Sequence, residues 1–172
     1  MPQSESTPAV ASPPAKPSPA EELKRASNHL RGTIAAELAN ENAAVSKPAS
    51  ALLKFHGAYQ QDDRDRRKQE PVKSYSFMVR VSLPGGIIAP RQYLALDALA
   101  DTAGDGTLRI TSRGGLQYHY VGKRTLRDCI RAINGSGLST FAACGDVVRN
   151  VVAPAEPFET PSASGWMNTP VC

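Results

Sequence analysis

Arg80, Arg109, Arg113 and Arg149 stand in segments with few acidic neighbours, Asp146 being the obvious exception, and Thr111, Gln117 and His119 lie among them. A guanidinium is a permanently charged planar fork that offers parallel N–H donors to a carboxylate, a phosphate or a sulfur oxyanion. Several of them gathered without counter-charges repel one another until an anion arrives. Threonine and glutamine add neutral donors, and a histidine gives or takes a proton near neutral pH. The chemistry open to such a set is recognition of an anion, with a proton source beside it.

These residues need strands to gather them. Ser74 to Leu83 alternates, so Tyr75, Phe77, Val79, Val81 and Leu83 share one face and Arg80 lies on the other. Leu108 and Ile110 likewise oppose Arg109, Thr111 and Arg113, and Leu116, Tyr118 and Tyr120 oppose Gln117 and His119. If the three segments share a sheet, one face packs on helices and the other collects the polar set. Pro84-Gly85-Gly86 ends the first strand, and Pro90 opens a helix that runs to about Ala100. Gly104 and Gly106 break that helix, and Gly114-Gly115 makes a hairpin between the second and third strands. A second helix is expected from Thr125 to Ile133, stopped near Gly135, with a short last strand around Leu138 to Ala142. Strand, helix, strand, strand, helix, strand is the α+β, ferredoxin-like order.

The rest of the chain looks like attachments. Residues 1–17 are rich in proline, serine and alanine and are expected to be disordered. Residues 18–73 read as a helical arm and wrapping segment. Ser18, Pro19 and Glu21 form a capping-box signature, and Leu23, Leu30, Ile34 and Leu38 predict one helix to about Asn40. Leu52 to Gly57 reads as a short strand, and the charged run Asp62 to Lys68 as a solvated loop or helix start. The compact domain covers residues 74–152, and 153–172 is an irregular, proline-punctuated tail.

A length of 172 residues with 41% hydrophobic content suits one domain with tails, and a net charge of +4 fits anionic ligands without demanding nucleic acid. No apolar stretch approaches a membrane span and no signal-peptide core follows the start, so a cytoplasmic protein with no membrane partner is the expectation. Cys129, Cys144 and Cys172 are too widely spaced for a cluster-binding motif, and no metal site is expected from them. Cys129 reads as a small core residue.

Two classes fit the polar face: a cofactor-binding half that holds a polycarboxylate with arginines, or an RNA-binding sheet of the same strand order. The second needs exposed aromatics for bases to stack on. The alternation puts Tyr75, Phe77, Tyr118 and Tyr120 on the apolar side, which argues against nucleic acid.

Five blocks in order then carry a resemblance. They are Asn28-His29-Leu30-Arg31-Gly32-Thr33-Ile34; Lys54-Phe55-His56-Gly57 with Tyr59-Gln60-Gln61-Asp62-Asp63-Arg64-Asp65; Phe77-Met78-Val79-Arg80 with Leu83-Pro84-Gly85-Gly86; Arg109-Ile110-Thr111-Ser112-Arg113 with Gln117-Tyr118-His119; and Arg149-Asn150-Val151. From about Glu22 to Val152 the chain resembles the N-terminal portion of the nitrite/sulfite reductase family, on its assimilatory sulfite branch. The resemblance implies siroheme coupled to a 4Fe–4S cluster and the six-electron reduction of sulfite to sulfide. It implies Arg80 and Arg149 as catalytic residues facing the sulfite and the siroheme. It implies Thr111, Arg113, Gln117 and His119, together with those two arginines, as the residues that hold the cofactor. Electrons would come from a flavoprotein or a ferredoxin. The Gln60 to Arg64 block would be structural.

Family members continue with a lysine pair, a second ferredoxin-like half and four cluster cysteines. No such segments follow Val152 here, so a truncated or frameshifted product, or one part of a split gene, is the expectation. Such a chain is expected to be apo, marginally stable and catalytically silent alone, with a missing C-terminal half as its partner. A non-catalytic remnant that associates with a larger reductase is the alternative.

Overall fold

The computed structural model describes residues 16–68, 72–145 and 148–153. Its centre is a four-stranded antiparallel sheet in the order β1-β2-β4-β3, with β1 Ala58–Asp62, β2 Tyr75–Val81, β3 Arg109–Ile110 and β4 Leu116–Val121. Two helices, α5 (Pro90–Ala103) and α6 (Leu126–Gly135), cover one face. Phe77, Val79, Val81, Leu116, Tyr118 and Val121 meet Leu96, Ala100, Leu126, Cys129 and Ile133 there. Helices on one face of an antiparallel sheet leave the other face free to carry polar groups. The α+β, ferredoxin-like order is therefore present, with a clear core side. No helix among the described residues is long and apolar enough to cross a membrane.

The expected last strand is reduced to one bridge, between Ser82 and Ser139. Another strand has taken its place. β1 pairs with β2 from Ala58–Val79 to Asp62–Tyr75, and the Gly57 carbonyl accepts from the Arg80 amide. Only the exit of β2 is left for the incoming chain. The Thr140 carbonyl passes so close to Gly57 that a Cβ there would lie 2.2 Å from it.

The N-terminal segment differs from the expectation in two places. Leu52 to Phe55 is helical, the end of α3 (Lys47–Phe55), because Ser46 caps it through the Ala49 amide and Ala49, Leu52 and Leu53 recur at helical spacing on the buried side. The single helix expected from Ser18 to Asn40 is split into α1 (Pro19–Ala26) and α2 (Ile34–Ala39). Between them Asn28, His29 and Leu30 all adopt positive φ, at 49°, 59° and 64°. Ser27 holds this turn, accepting from the Leu30 amide and donating to the Lys24 carbonyl, while His56 Nε2 lies 2.9 Å from the Leu30 carbonyl. The capping box at Ser18 and Glu21 is formed as expected. In the charged run Asp62 ends β1 and α4 spans Arg64–Arg67, and the expectations for residues 1–15 and 154–172 lie outside the described residues.

The fourth correction concerns β4. Its pairing slips between Val79–Tyr118 and Phe77–Val121, so β4 carries one extra residue. Tyr120 takes φ 55° at this bulge and is 51% exposed, while Val121 fills the core position that alternation gives to Tyr120. Ile110 is also not core: β3 pairs over two residues only, and Ile110 is exposed although Leu108 packs inward.

Candidate anion and cofactor site

Two glycines bring the hairpin onto β2. A Cβ on Gly115 would lie 2.8 Å from the Val81 carbonyl and 3.4 Å from Thr111 Oγ1, and one on Gly114 would lie 3.5 Å from Gly86 Cα. Only bare backbone allows the 111–115 turn this close to the β2 exit. The Thr111 amide donates to the Gly115 carbonyl, and the Gly115 amide donates to Thr111 Oγ1 at 3.0 Å. Thr111 Oγ1 thus uses one of its two acceptor lone pairs on the turn.

The turn, β2 and the segment at 148–153 then meet. Arg80, Thr111, Arg113, Arg149 and Asn150 line one small void of about 10 Å³. That is about the room of one water, so a ligand as large as a macrocycle must lie over the residues and not between them. Among the described residues no carboxylate pairs with Arg80, Arg113 or Arg149. Arg149 Nε donates to the Gly145 carbonyl at 2.9 Å, which fixes its stem and leaves its terminal nitrogens. Arg80 Nε is buried and has no hydrogen-bond partner. A buried charged donor without an acceptor costs free energy unless something supplies one.

Four of the six expected site residues thus come together: Arg80, Thr111, Arg113 and Arg149. Gln117 lies in register between Arg80 on β2 and Arg109 on β3. Its side-chain amide nitrogen is 2.9 Å from His119 Nε2. An amide N–H can only donate, so Nε2 is the acceptor and the ring proton sits on Nδ1. Burial, then the charges of Arg109 and Arg80, hold the His119 pKa below its usual value, with Asp105 opposing them. Arg109 itself is not free of acids, since its guanidinium lies 3.3 Å from Asp105 and its Nε donates to Thr107. Asp105 is lowered although burial raises it, because bonds from Thr107 and the Arg109 charge outweigh that effect.

His119 also borders a larger cleft, of about 550 Å³, together with Tyr59, Asp62, Arg67 and Tyr120. Tyr59 pairs with Met78, two residues before Arg80, and so lies on the arginine face, where it is 37% exposed. The polar face therefore does present aromatics, contrary to the alternation reading. They stand beside Asp62, which pairs with Arg67, and Asp63, which pairs with Arg66.

Sequence reasoning assigns Asn150 no role. The available signal is its place directly after Arg149, but its partners lie 67 and 37 positions away, out of reach of local pattern.

The nitrite/sulfite reductase ferredoxin-like half domain matches residues 68–135. Among curated proteins, the chain is 47% identical over 150 residues to the sulfite reductase (NADPH) hemoprotein beta-component of Shouchella clausii, covering 84% of this chain and 26% of that protein. It is 45% identical over 156 residues to the sulfite reductase (ferredoxin) of Synechococcus elongatus, covering 91% of this chain and 25% of that protein. The chain thus spans about a quarter of the length of these relatives. The solved structure of Mycobacterium tuberculosis NirA aligns with a TM-score of 0.65 at 24% identity, covering 82% of this chain and 28% of that one, and supports the fold. The chain belongs to the nitrite/sulfite reductase family, and the strands β2 to β4, with Arg80 on β2 and Gln117 and His119 on β4, lie within its match to that family's ferredoxin-like half domain.

Proposed function

We propose that this chain forms the siroheme- and sulfite-facing surface of an assimilatory sulfite reductase hemoprotein. The observation that carries the reading is the meeting of Arg80, Arg113 and Arg149 with no pairing carboxylate among the described residues, and with Arg80 Nε buried and unpartnered. This donor set fits siroheme, which is rich in carboxylates, and it fits sulfite. Arg113, Thr111 and Gln117 hold the carboxylates of the macrocycle, with His119 fixed beside them by Gln117. Arg80 and Arg149 bind the substrate anion.

When bound, siroheme coupled to a 4Fe–4S cluster would relay to sulfite the six electrons that the electron donor provides. The arginines act on charge: oxygen leaving sulfur accumulates negative charge before it becomes water, and a preorganised donor stabilises that by about 3 kcal/mol. Because the chain corresponds to about a quarter of its relatives, the reduction belongs to a larger assembly. The cluster thiolates and the electron donor, an NADPH-linked flavoprotein or a ferredoxin, come from that remainder.

The test is titration of the purified chain with siroheme, followed by its visible spectrum. Saturable binding near one equivalent, lost when Arg80, Arg113 and Arg149 are replaced together by alanine, supports the reading. Failure to bind, or equal binding by the triple variant, removes it.

A further inference from the structure

We infer that Asn150 is the positioning residue of the anion site, the side chain that sets the spacing of its three guanidinium groups. This rests on the proposal that the arginines face an anion. Asn150 Oδ1 accepts from Ser82 Oγ and from the Leu83 amide, both at 3.1 Å, and Nδ2 donates to the carbonyls of Leu83 at 2.8 Å and Arg113 at 2.7 Å. A carboxamide offers two acceptor sites and two donor sites, and here all four are used.

The bonds join the three segments that carry the arginines. Asn150 adjoins Arg149, Ser82 and Leu83 continue the strand that carries Arg80, and the Arg113 carbonyl belongs to the hairpin turn. A neighbouring bond, from the Gly85 amide to the Val151 carbonyl at 2.8 Å, keeps the 150–151 segment against the β2 exit. It does not reach the hairpin. Among the described residues Asn150 is the side chain that bonds the 148–153 segment to both the β2 exit and the hairpin turn. Three like charges push outward on the segments that bear them, and the amide opposes that push. With its polar atoms committed to protein, Asn150 acts on a ligand through the arginines.

The experiment uses the full chain with sodium sulfite as probe. Affinity is read by titration, and the arginine Nε–Hε resonances are followed in a ¹⁵N-correlated spectrum. Asn150→Ala is expected to weaken sulfite binding by about tenfold or more, the loss set by the freed Arg113 turn. It should also move the sulfite-induced shift of the Arg80 Nε–Hε signal to correspondingly higher sulfite concentration while the amide spectrum stays that of a folded chain. Introduced on top of Arg113→Ala, the same change is expected to have a much smaller effect, because the arginine it positions is gone. Asn150→Ser, which keeps a hydroxyl near Leu83 but cannot span to the Arg113 carbonyl, gives the same result if the alanine variant does not fold. Sulfite affinity within about twofold of the parent in a folded variant, or an equal loss in the Arg113→Ala background, overturns the positioning role alone. A parent chain that binds no sulfite overturns the anion-site proposal, and this inference with it.

Discussion

Gln117 donates to His119 Nε2 across 2.9 Å, two positions apart on the same face of β4. The bond requires a neutral imidazole, and burial with the charges of Arg109 and Arg80 favours the same state. The folded pKa lies below the unfolded value of about 6.5, so the unfolded chain binds the extra proton first. The stabilisation is fully present above that unfolded value and is lost as the pH falls from it through the folded pKa. Urea midpoints taken between pH 7.5 and pH 5 should therefore fall for the parent. They should fall less for His119→Gln, which has no proton to gain. Parallel losses in the two proteins would assign the pH dependence elsewhere. Glu21 and Glu37, both lowered by hydrogen bonds from Ser18 and from Thr33, matter only at more acid pH.

Tyr120 sits at φ 55°, where a side chain with a Cβ is strained by about 1–2 kcal/mol. Its exposed ring contributes little burial, although it lies 6.4 Å from the His119 ring. Comparing two replacements separates strain from contact. Tyr120→Ala loses the ring and keeps the strain; Tyr120→Gly loses both. Glycine should be the more stable of the two by about 1 kcal/mol even after its greater unfolded-state entropy is counted. Thermal melts of the pair decide it, and an alanine variant more stable than the glycine variant would show that the backbone is not strained there.

The bulge also shows where the sequence was legible. Alternation located the core side of β2 correctly, because the extra residue lies on β4 and Phe77, Val79 and Val81 keep facing the same helices. It failed at Tyr120 because one inserted residue reverses the parity of every later position on the strand, and nothing in Tyr118-His119-Tyr120-Val121 announces the insertion. The arginines were legible for a different reason: a charge on a strand needs an outlet, and Arg80 stood alone in an apolar run. That Arg109 would be claimed by Asp105 was less visible, since the pairing depends on the loop after α5. β1 and the Asn150 clamp were hidden because both depend on partners distant in sequence, which no local period encodes.

Gly115 and Gly86 are both glycines near the site, with different reasons to be so. A Cβ at Gly86 meets nothing within 4 Å, and only its φ of 71° opposes a side chain. Gly86→Ala is expected to cost about 1 kcal/mol, the left-handed penalty alone, with sulfite affinity unchanged. At Gly115 the added methyl must push the turn off the Val81 carbonyl. Gly115→Ala should cost more, lengthen the approach of the hairpin to β2, and weaken sulfite binding because Arg113 moves with the turn. Chemical denaturation with parallel sulfite titrations distinguishes the two effects.

Arg80 gives the sharpest test of the site's electrostatics. Its buried Nε has no acceptor, and its charge faces Arg113 and Arg149 across the same small void. Without an anion, the folded state therefore carries a desolvated donor and a repulsion that the unfolded chain escapes. Arg80→Met keeps most of the side-chain stem and removes both penalties, so it should stabilise the ligand-free chain by about 1 kcal/mol. Sulfite must act on the parent alone. A ligand present at a hundred times its dissociation constant stabilises the parent by about 2.7 kcal/mol, and a variant that does not bind gains nothing. The melting curves should therefore cross: Arg80→Met above the parent in plain buffer, and below it in saturating sulfite. Sodium chloride at matched ionic strength serves as the control for screening. If Arg80→Met is less stable in both conditions, the arginine is a structural member of the fold, and its lone Nε is not a binding group for substrate.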